Sequence, residues 1–171
     1  MTRSENGKRH ISLFGIIAFV AMSAVSALAG NTATILVPRD NPTWMERHQG
    51  MCDRLKEGHA GVLWIGDSIV QKWASAGKSV WDQYYAPRDA VNLGISGDCT
   101  EHVLWRLEHC GLEKVSPKLA IVMIGQNNGP SNTAEEIAEG VTAIVTLLRE
   151  KQPEMKILLL GIFFRGEKPN E

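Results

Sequence analysis

The stretch VLWIGDSI, residues 62–69, contains a short apolar run, a glycine and then a polar turn that carries a serine. A run that is apolar at every position from Val62 to Ile65 is typical of a strand covered on both faces. Similar apolar runs recur at residues 91–95, 119–124 and 157–162. We therefore predict four buried parallel strands.

Segments with a helical spacing of apolar residues alternate with these runs, at residues 44–57, 69–76, 99–109 and 134–151. Asp98 with Glu101, and Thr133 with Glu136, have the spacing of a capping box, which predicts that helices begin there. Repeated strand and helix units with right-handed crossovers favour an α/β fold. The predicted architecture is a three-layer sandwich around a parallel sheet of flavodoxin-like strand order.

The first 29 residues have the composition of an export signal. Lys8 and Arg9 precede a mostly apolar run over residues 13–28, and Ala27-Leu28-Ala29 offers the small residues that a signal peptidase accepts. We predict cleavage after Ala29, a secreted or periplasmic protein, and no stable membrane span after cleavage. An uncleaved membrane anchor is the alternative. Residues 30–43 are then a leader segment, and residues 44–171 form the α/β domain.

Charge and cysteine content argue against several kinds of site. The chain has a net charge of −1 and lacks a basic run, so nucleic acid is not an expected partner.

Three cysteines, Cys52, Cys99 and Cys110, are an odd number for a disulfide framework. Cys99 and Cys110 would lie about 16 Å apart along one helix, beyond disulfide reach. Because the sequence contains neither a C-x-x-C pair nor a histidine cluster at ligand spacing, we predict no metal and no other cofactor.

Three small polar loops follow the first three strands: residues 66–69, 95–98 and 125–128. The carboxyl ends of parallel strands meet at one edge of the sheet, where α/β proteins bind their ligands. Ser68, at a strand-to-helix turn, is placed to act as a nucleophile. The backbone amides of Ser68 and Gly97 and the side-chain amide of Asn127 are the predicted donors of an oxyanion hole. Taken singly, these residues also suit plain turns and helix caps.

These segments together resemble the GDSL/SGNH hydrolases. GDSI (residues 66–69) looks like the family's nucleophile block, Gly97 like its second block, and Gly125-x-Asn127 like its third. Within this family, the chain resembles the branch of the platelet-activating-factor acetylhydrolase catalytic subunits from about residue 44 onward. The resemblance is strongest in NLGISGDCTEHVLWRL (92–107), MIGQNN (123–128) and LLLGIFFRGEKP (158–169). The chain departs from this branch at Gln126, where the branch usually has Thr, and at Phe164, where it usually has Pro.

The resemblance also implies an Asp-x-x-His block after a fifth strand, whose histidine would accept the proton of Ser68. No histidine of this chain lies in such a block; the five are His10, His48, His59, His102 and His109. We therefore expect a domain that is incomplete at its C-terminus, with the last strand and helix missing, and that has little activity. His102 is expected to have a structural or surface role, because the related branch often has a histidine there beside its usual base.

The predicted function is hydrolysis of a small-molecule ester with a small acyl group, acetyl above all, through an acyl-enzyme on Ser68. One alternative is a binding module or pseudoenzyme that keeps the pocket but lacks the base. Another is a flavodoxin-like cofactor or receiver domain. That alternative requires a phosphate-binding loop or an acidic cluster after the first strand, and Gly66-Asp67-Ser68 is neither. The oligomeric state and the pairing of the cysteines stay open.

Overall fold

The computed structural model describes residues 30–163, which contain one parallel sheet of four strands in the order β2-β1-β3-β4. In the register of the sheet, Gly66 pairs with both Gly94 and Met123, so the loops that follow the first three strands leave the same edge. The predicted parallel, flavodoxin-like arrangement is confirmed. The strands are β1 (Val62–Gly66), β2 (Ala90–Gly94), β3 (Leu119–Met123) and β4 (Lys156–Leu159).

Side chains alternate between the two faces of the sheet, as the geometry of a strand requires. Leu63 and Ile65 point into the larger apolar core. Trp64, between them, lies in a smaller cluster on the opposite face. Both faces are therefore covered, which explains why β1 is apolar at successive positions and accounts for the three layers.

Four helices were predicted, and the structure has α1 (Pro42–Lys56), α2 (Ser68–Gln71), α3 (Thr100–His109) and α4 (Ala134–Lys151). Helix α4 begins with the predicted capping box: the Glu136 amide donates to Thr133 Oγ1 at 3.2 Å, and the Thr133 amide donates to Glu136 Oε2 at 2.9 Å. Helix α1 begins two residues before the predicted start, because the Asn41 side chain accepts the Trp44 amide and Pro42 suits the first helical position.

The predicted cap of α3 by Asp98 is wrong. Asp98 turns inward and is fully buried. The backbone amide of Cys99 instead donates to Nδ1 of His102 at 2.9 Å. The Asp98 carboxylate is instead paired with the buried side chain of Arg106.

The predicted helix over residues 69–76 is also wrong in its extent. Helix α2 ends at Gln71, and a 3-10 turn and further short helical turns continue the chain to Arg88. These turns place aromatic rings around Trp64, with centroid distances of 5.1 Å to Trp73, 6.1 Å to Trp81 and 5.0 Å to Tyr85. Packing on the sheet therefore overrides the local helical pattern.

Strand β4 departs from the prediction of a buried strand. Leu158 and Leu159 are 48% and 50% exposed. Within residues 30–163, β4 pairs with β3 alone, so its other edge has no neighbouring strand in this part of the chain. Apolar composition predicted the strand correctly but not its burial.

The leader segment packs on the domain from residue 31 onward. Ala33 is fully buried, and its carbonyl oxygen accepts a hydrogen bond from Thr100 Oγ1 at 2.8 Å. Asn31 Nδ2 donates to the Glu136 carbonyl at 3.0 Å. The export signal of residues 1–29 and the departure at Phe164 lie outside the described residues. No helix within residues 30–163 has the length and apolar character needed to cross a membrane.

Candidate active site

Ser68 is the first residue of α2 and lies half-buried directly after β1. Asp67 fixes this turn, because its Oδ1 accepts the Ile69 amide at 2.9 Å while its side chain is almost completely buried. Gly66 lets the turn lie close to β3: a Cβ at this position would be 2.3 Å from the Met123 carbonyl oxygen. The strand and the cap thus hold Ser68 at the edge of the sheet.

Gly97 lies at an exposed turn after β2 and has a φ of +79°, a left-handed conformation that favours glycine. The Arg39 guanidinium lies against it: Nη1 donates to the Ser96 carbonyl at 2.7 Å and would be 2.8 Å from a Cβ on Gly97. Arg39 comes from the leader segment. Its place at the site was not predicted, since nothing in the spacing of residues 30–43 relates it to Gly97.

Asp98, the next residue, anchors the same loop to the core. Its carboxylate accepts hydrogen bonds from Trp44 Nε1 at 2.6 Å and from Arg106 Nε at 2.8 Å. Burial raises the pKa of Asp98 above its ordinary value, an effect that the charge of Arg106 and the Trp44 hydrogen bond oppose. The backbone of Gly97 is therefore held from both sides, by Arg39 outside and by Asp98 inside.

Asn127 lies in a 3-10 turn after β3 and reaches both other loops. Its Nδ2 donates to the Asp98 carbonyl at 2.9 Å and lies 3.5 Å from Asp67 Oδ2. Asp67, which precedes Ser68, and Asp98, which follows Gly97, thus both lie next to the side-chain amide of Asn127. The structure brings together the three loops that carry the predicted site residues; the catalytic roles of those residues stay predictions.

Comparison with known proteins places this loop set in a family. The sequence pattern of the GDSL-like Lipase/Acylhydrolase family matches residues 64–171, which include all three loops. The chain belongs to this family. The GDSL-like acylhydrolase chain is also 45% identical over 127 residues to platelet-activating factor acetylhydrolase IB subunit alpha2 of Homo sapiens and of Rattus norvegicus. It is 41% identical over 127 residues to subunit alpha1 of Homo sapiens.

These alignments cover 74% of the acylhydrolase chain and 54% of each relative, so the chain spans about half the length of the curated relatives it matches. A solved structure from Streptococcus pneumonia, whose name relates it to platelet activating factor, has a TM-score of 0.54 at 20% identity. That likeness covers 88% of the acylhydrolase chain and 64% of the solved chain. At this identity it supports the fold alone.

The four histidines of residues 30–163 each have identifiable contacts or positions. Nδ1 of His102 already accepts the Cys99 amide, and burial lowers the pKa of His102. His59 precedes β1 and so lies at the opposite end of that strand from Ser68. His48 stacks on Trp44 and His109 on Trp105.

Asn128 was not predicted to matter, although it adjoins Asn127. It is almost completely buried, its Oδ1 accepts the Thr100 amide at 3.0 Å, and its Nδ2 donates to Glu101 Oε2 at 2.9 Å. Asn128 therefore ties the loop after β3 to the beginning of α3. The double asparagine in the sequence is the only signal that could have suggested two separate roles.

A narrow apolar crevice opens beside the Ser68 turn of the acylhydrolase. Asp67 and Gln126 are polar residues in its wall, and the remainder is aliphatic or aromatic. The lining residues are Asp67, Ile69, Met123, Ile124, Gln126, Ile162 and Phe163. The volume of the crevice is about 10 Å³, which is the space of about one water molecule.

Proposed function

We propose that this protein is a serine ester hydrolase that forms an acyl-enzyme on Ser68. The observation that carries the proposal is the position of the Asn127 side-chain amide, 2.9 Å from the Asp98 carbonyl and 3.5 Å from Asp67 Oδ2. One donor thus lies between the loop of the nucleophile and the loop of Gly97. Such convergence is what stabilisation of a tetrahedral oxyanion requires.

In the proposed reaction, Ser68 Oγ attacks the ester carbonyl and the carbonyl oxygen becomes an oxyanion. The backbone amides of Ser68 and Gly97 and Nδ2 of Asn127 donate hydrogen bonds to it. Because these groups are already held by Asp67, Asp98 and the strand ends, little reorganisation accompanies the charge development. Collapse of the intermediate expels the alcohol and leaves the acyl group on Ser68; water then releases the acid.

We propose a small acyl group, acetyl above all. The crevice beside Ile69 and Met123 is narrow, which favours a short acyl chain over a long one. The relatives of this chain are named acetylhydrolases, which agrees with that choice.

We further propose that the 171-residue chain turns over slowly. A serine hydroxyl needs a base to remove its proton, and no histidine of this chain lies in an Asp-x-x-His block. The limiting step would then be deprotonation of Ser68. An external base small enough to enter the site should restore part of the rate.

The test uses the full chain with p-nitrophenyl acetate, whose leaving group needs no protonation, in the presence and absence of imidazole. We expect imidazole to accelerate nitrophenol release in the natural chain, and mass spectrometry to find the acetyl group on Ser68. In Ser68→Ala, only the background reaction with imidazole should remain. Ser75→Ala is the matched control, because Ser75 is an exposed serine in the turns after α2.

Equal rates for the natural chain and Ser68→Ala would reject Ser68 as the nucleophile. Fast turnover without imidazole would keep the nucleophile but reject the slow-turnover proposal. Saturable binding of the ester without acylation, even with imidazole, would favour the non-catalytic binding module. The measurements thus separate the three possibilities.

We also propose export with cleavage after Ala29. The support is the basic, apolar and small-residue order of residues 1–29. Expression of the full chain in a bacterial host should yield a periplasmic or secreted product that begins at Gly30. A membrane-bound product that retains Met1 would favour the uncleaved anchor.

A further inference from the structure

Cys52 and Cys110 form a buried pair far along the chain from each other. Cys52 lies in α1, and Cys110 is the residue at which α3 ends; each is 5% exposed. Their sulfur atoms and a ring nitrogen of His48 all lie within 4.8 Å of one another. None of these three side chains belongs to the candidate active site, so the cluster needs an explanation of its own.

The geometry of His48 does not favour a metal site. Cys52 Sγ lies 3.5 Å from Nε2 and 3.7 Å from Nδ1, so it faces the ring between the two nitrogens. A zinc ion shared with Nε2 would place Sγ about 3.6 Å from Nε2 but more than about 5 Å from Nδ1, given bonds of about 2.0–2.1 and 2.3 Å. The ring lies 5.8 Å from Trp44 and 5.1 Å from Trp105, which restricts its rotation.

The protonation of the two thiols differs. The neighbouring Cys110 thiol is the main cause that lowers the pKa of Cys52 to about 5; His48 lowers it further, and burial opposes both. The nearby Cys52 and burial raise the pKa of Cys110. Cys52 is therefore the member of the pair that ionises first, and Cys110 is the member that keeps its proton. A thiolate beside a thiol is the arrangement that reacts with disulfides.

Solvent reaches the pair through a cavity of about 300 Å³ between α1 and the end of α3. Both cysteines line it. Gly111, directly after Cys110, has a φ of +68°, so α3 ends at Cys110, and a 3-10 turn over Leu112–Lys114 follows it. The charged and titratable groups around the pair are His48, Lys56, Arg106, Glu108, His109, Glu113 and Lys114.

We propose that Cys52 and Cys110 are a thiol–disulfide exchange site that accepts low-molecular-weight disulfides and closes to a disulfide between α1 and the end of α3. The Cys52 thiolate attacks one sulfur of the disulfide RSSR, the S–S bond breaks, and RS⁻ leaves. Cys110 then loses its proton and attacks Cys52 Sγ, which expels the second RS⁻. The pair loses two electrons and the one proton of Cys110, and RSSR is reduced to two thiolates, RS⁻. The sulfurs must approach from within 4.8 Å to about 2.05 Å.

The test treats the reduced full chain with an aromatic disulfide that releases a coloured thiolate. From the pair we expect two thiolates per chain with no label retained on Cys52 or Cys110, and a cross-linked pair of peptides that contain these residues; Cys99 releases one further thiolate and keeps its label. The Cys52 rate should change less than about twofold between about pH 6 and 8, because its thiolate is already formed. Cys99, whose pKa burial raises to about 11, should react about tenfold faster for each pH unit in that range.

Variants separate the two steps. Cys110→Ser should release one thiolate and keep the label on Cys52, whereas Cys52→Ser should lose the pH-independent reaction. Cys99→Ser is the matched control: it should lose only the pH-dependent reaction of Cys99 and keep the reaction of the Cys52–Cys110 pair unchanged. Peptide mapping of the natural chain needs no variant and so guards against misfolding of the buried substitutions.

Any of three results with the disulfide reagent would overturn the proposal: label retained on Cys52 of the natural chain, a Cys52 rate that rises tenfold for each pH unit, or absence of the cross-linked peptides. Zinc binding that blocks the reaction at one ion per chain would also overturn it, in favour of a metal site.

Discussion

The carboxylate of Asp98 accepts a hydrogen bond from Nε of Arg106 at 2.8 Å, and the two side chains are 0% and 2% exposed. This ion pair joins the loop after β2 to the core-facing side of α3. Since Asp98 directly follows Gly97 and its carbonyl accepts the Asn127 amide, the pair also fixes the candidate oxyanion donors. A contact in the core thereby determines the geometry of the candidate site.

Removal of one partner of this pair should be strongly destabilising. We expect Asp98→Ala to lower the free energy of unfolding by about 3–5 kcal/mol, because the Arg106 charge is left buried without its partner. Urea unfolding followed by circular dichroism measures the change. The control is Glu108→Gln at the half-exposed Lys151–Glu108 pair, where we expect less than about 1 kcal/mol. Equal effects of the two substitutions would contradict this account.

Substitution of Gly97 should be destabilising because of its backbone conformation, whether or not Arg39 is present. We expect Gly97→Ala to lower the free energy of unfolding by about 1–2 kcal/mol, since its φ of +79° disfavours a side chain. The new Cβ would also lie 2.8 Å from Arg39 Nη1. In an Arg39→Ala background the contact disappears while the conformational effect remains. A double-mutant cycle by urea unfolding separates the conformational effect from the contact. If Gly97→Ala caused no loss of stability in the Arg39→Ala background, the contact alone would be responsible.

Asn127 and Asn128 should respond differently to the same change. Asn127→Ala should lower the rate of imidazole-assisted acylation of Ser68 by about 10²–10³-fold, through loss of an oxyanion donor. Asn128→Ala should leave that rate largely unchanged for each folded molecule but lower the free energy of unfolding by about 1–3 kcal/mol, because the Thr100 amide loses its acceptor. Acylation kinetics and urea unfolding of both variants test this. A larger loss of rate in Asn128→Ala than in Asn127→Ala would contradict the assignment of the oxyanion donor to Asn127.

Asp67 should make stability depend on pH. Burial is the main cause that raises its pKa above the ordinary 3.8, so the native state binds this proton more tightly than the unfolded state does. Its contribution to the free energy of unfolding therefore falls as the pH rises from 3.8 through the raised pKa. Asp67→Asn should lack this fall, and urea unfolding from about pH 4 to 7 compares the two chains.

A control with the opposite sign is available at Asp53. A hydrogen bond from Lys56 is the main cause that lowers the pKa of Asp53, so its contribution is present above the ordinary pKa and is lost as the pH falls through the lowered one. With urea unfolding extended below pH 3.8, Asp53→Asn should therefore change the pH dependence in the opposite direction from Asp67→Asn. The same sign for both would contradict the assignment for Asp67.

The fold was predictable where a local pattern and the tertiary structure agree. The apolar runs of β1 to β3 are buried on both faces, and Thr133 and Glu136 form the capping box that begins α4. Prediction failed where distant contacts compete with local preference. Asp98 has the spacing of a cap but pairs with Arg106, and the helical pattern after Ser68 gives way to turns around Trp64.

By itself, the sequence determined the parallel α/β architecture and the positions of Ser68, Gly97 and Asn127 at the ends of successive strands, because strand and turn preferences act over a few residues. Only the tertiary structure decided which side chains surround them. Arg39 meets Gly97 across 58 positions of chain, and Cys52 meets Cys110 across the same number. Such contacts arise from the packing of whole elements on the sheet, and no local spacing encodes them.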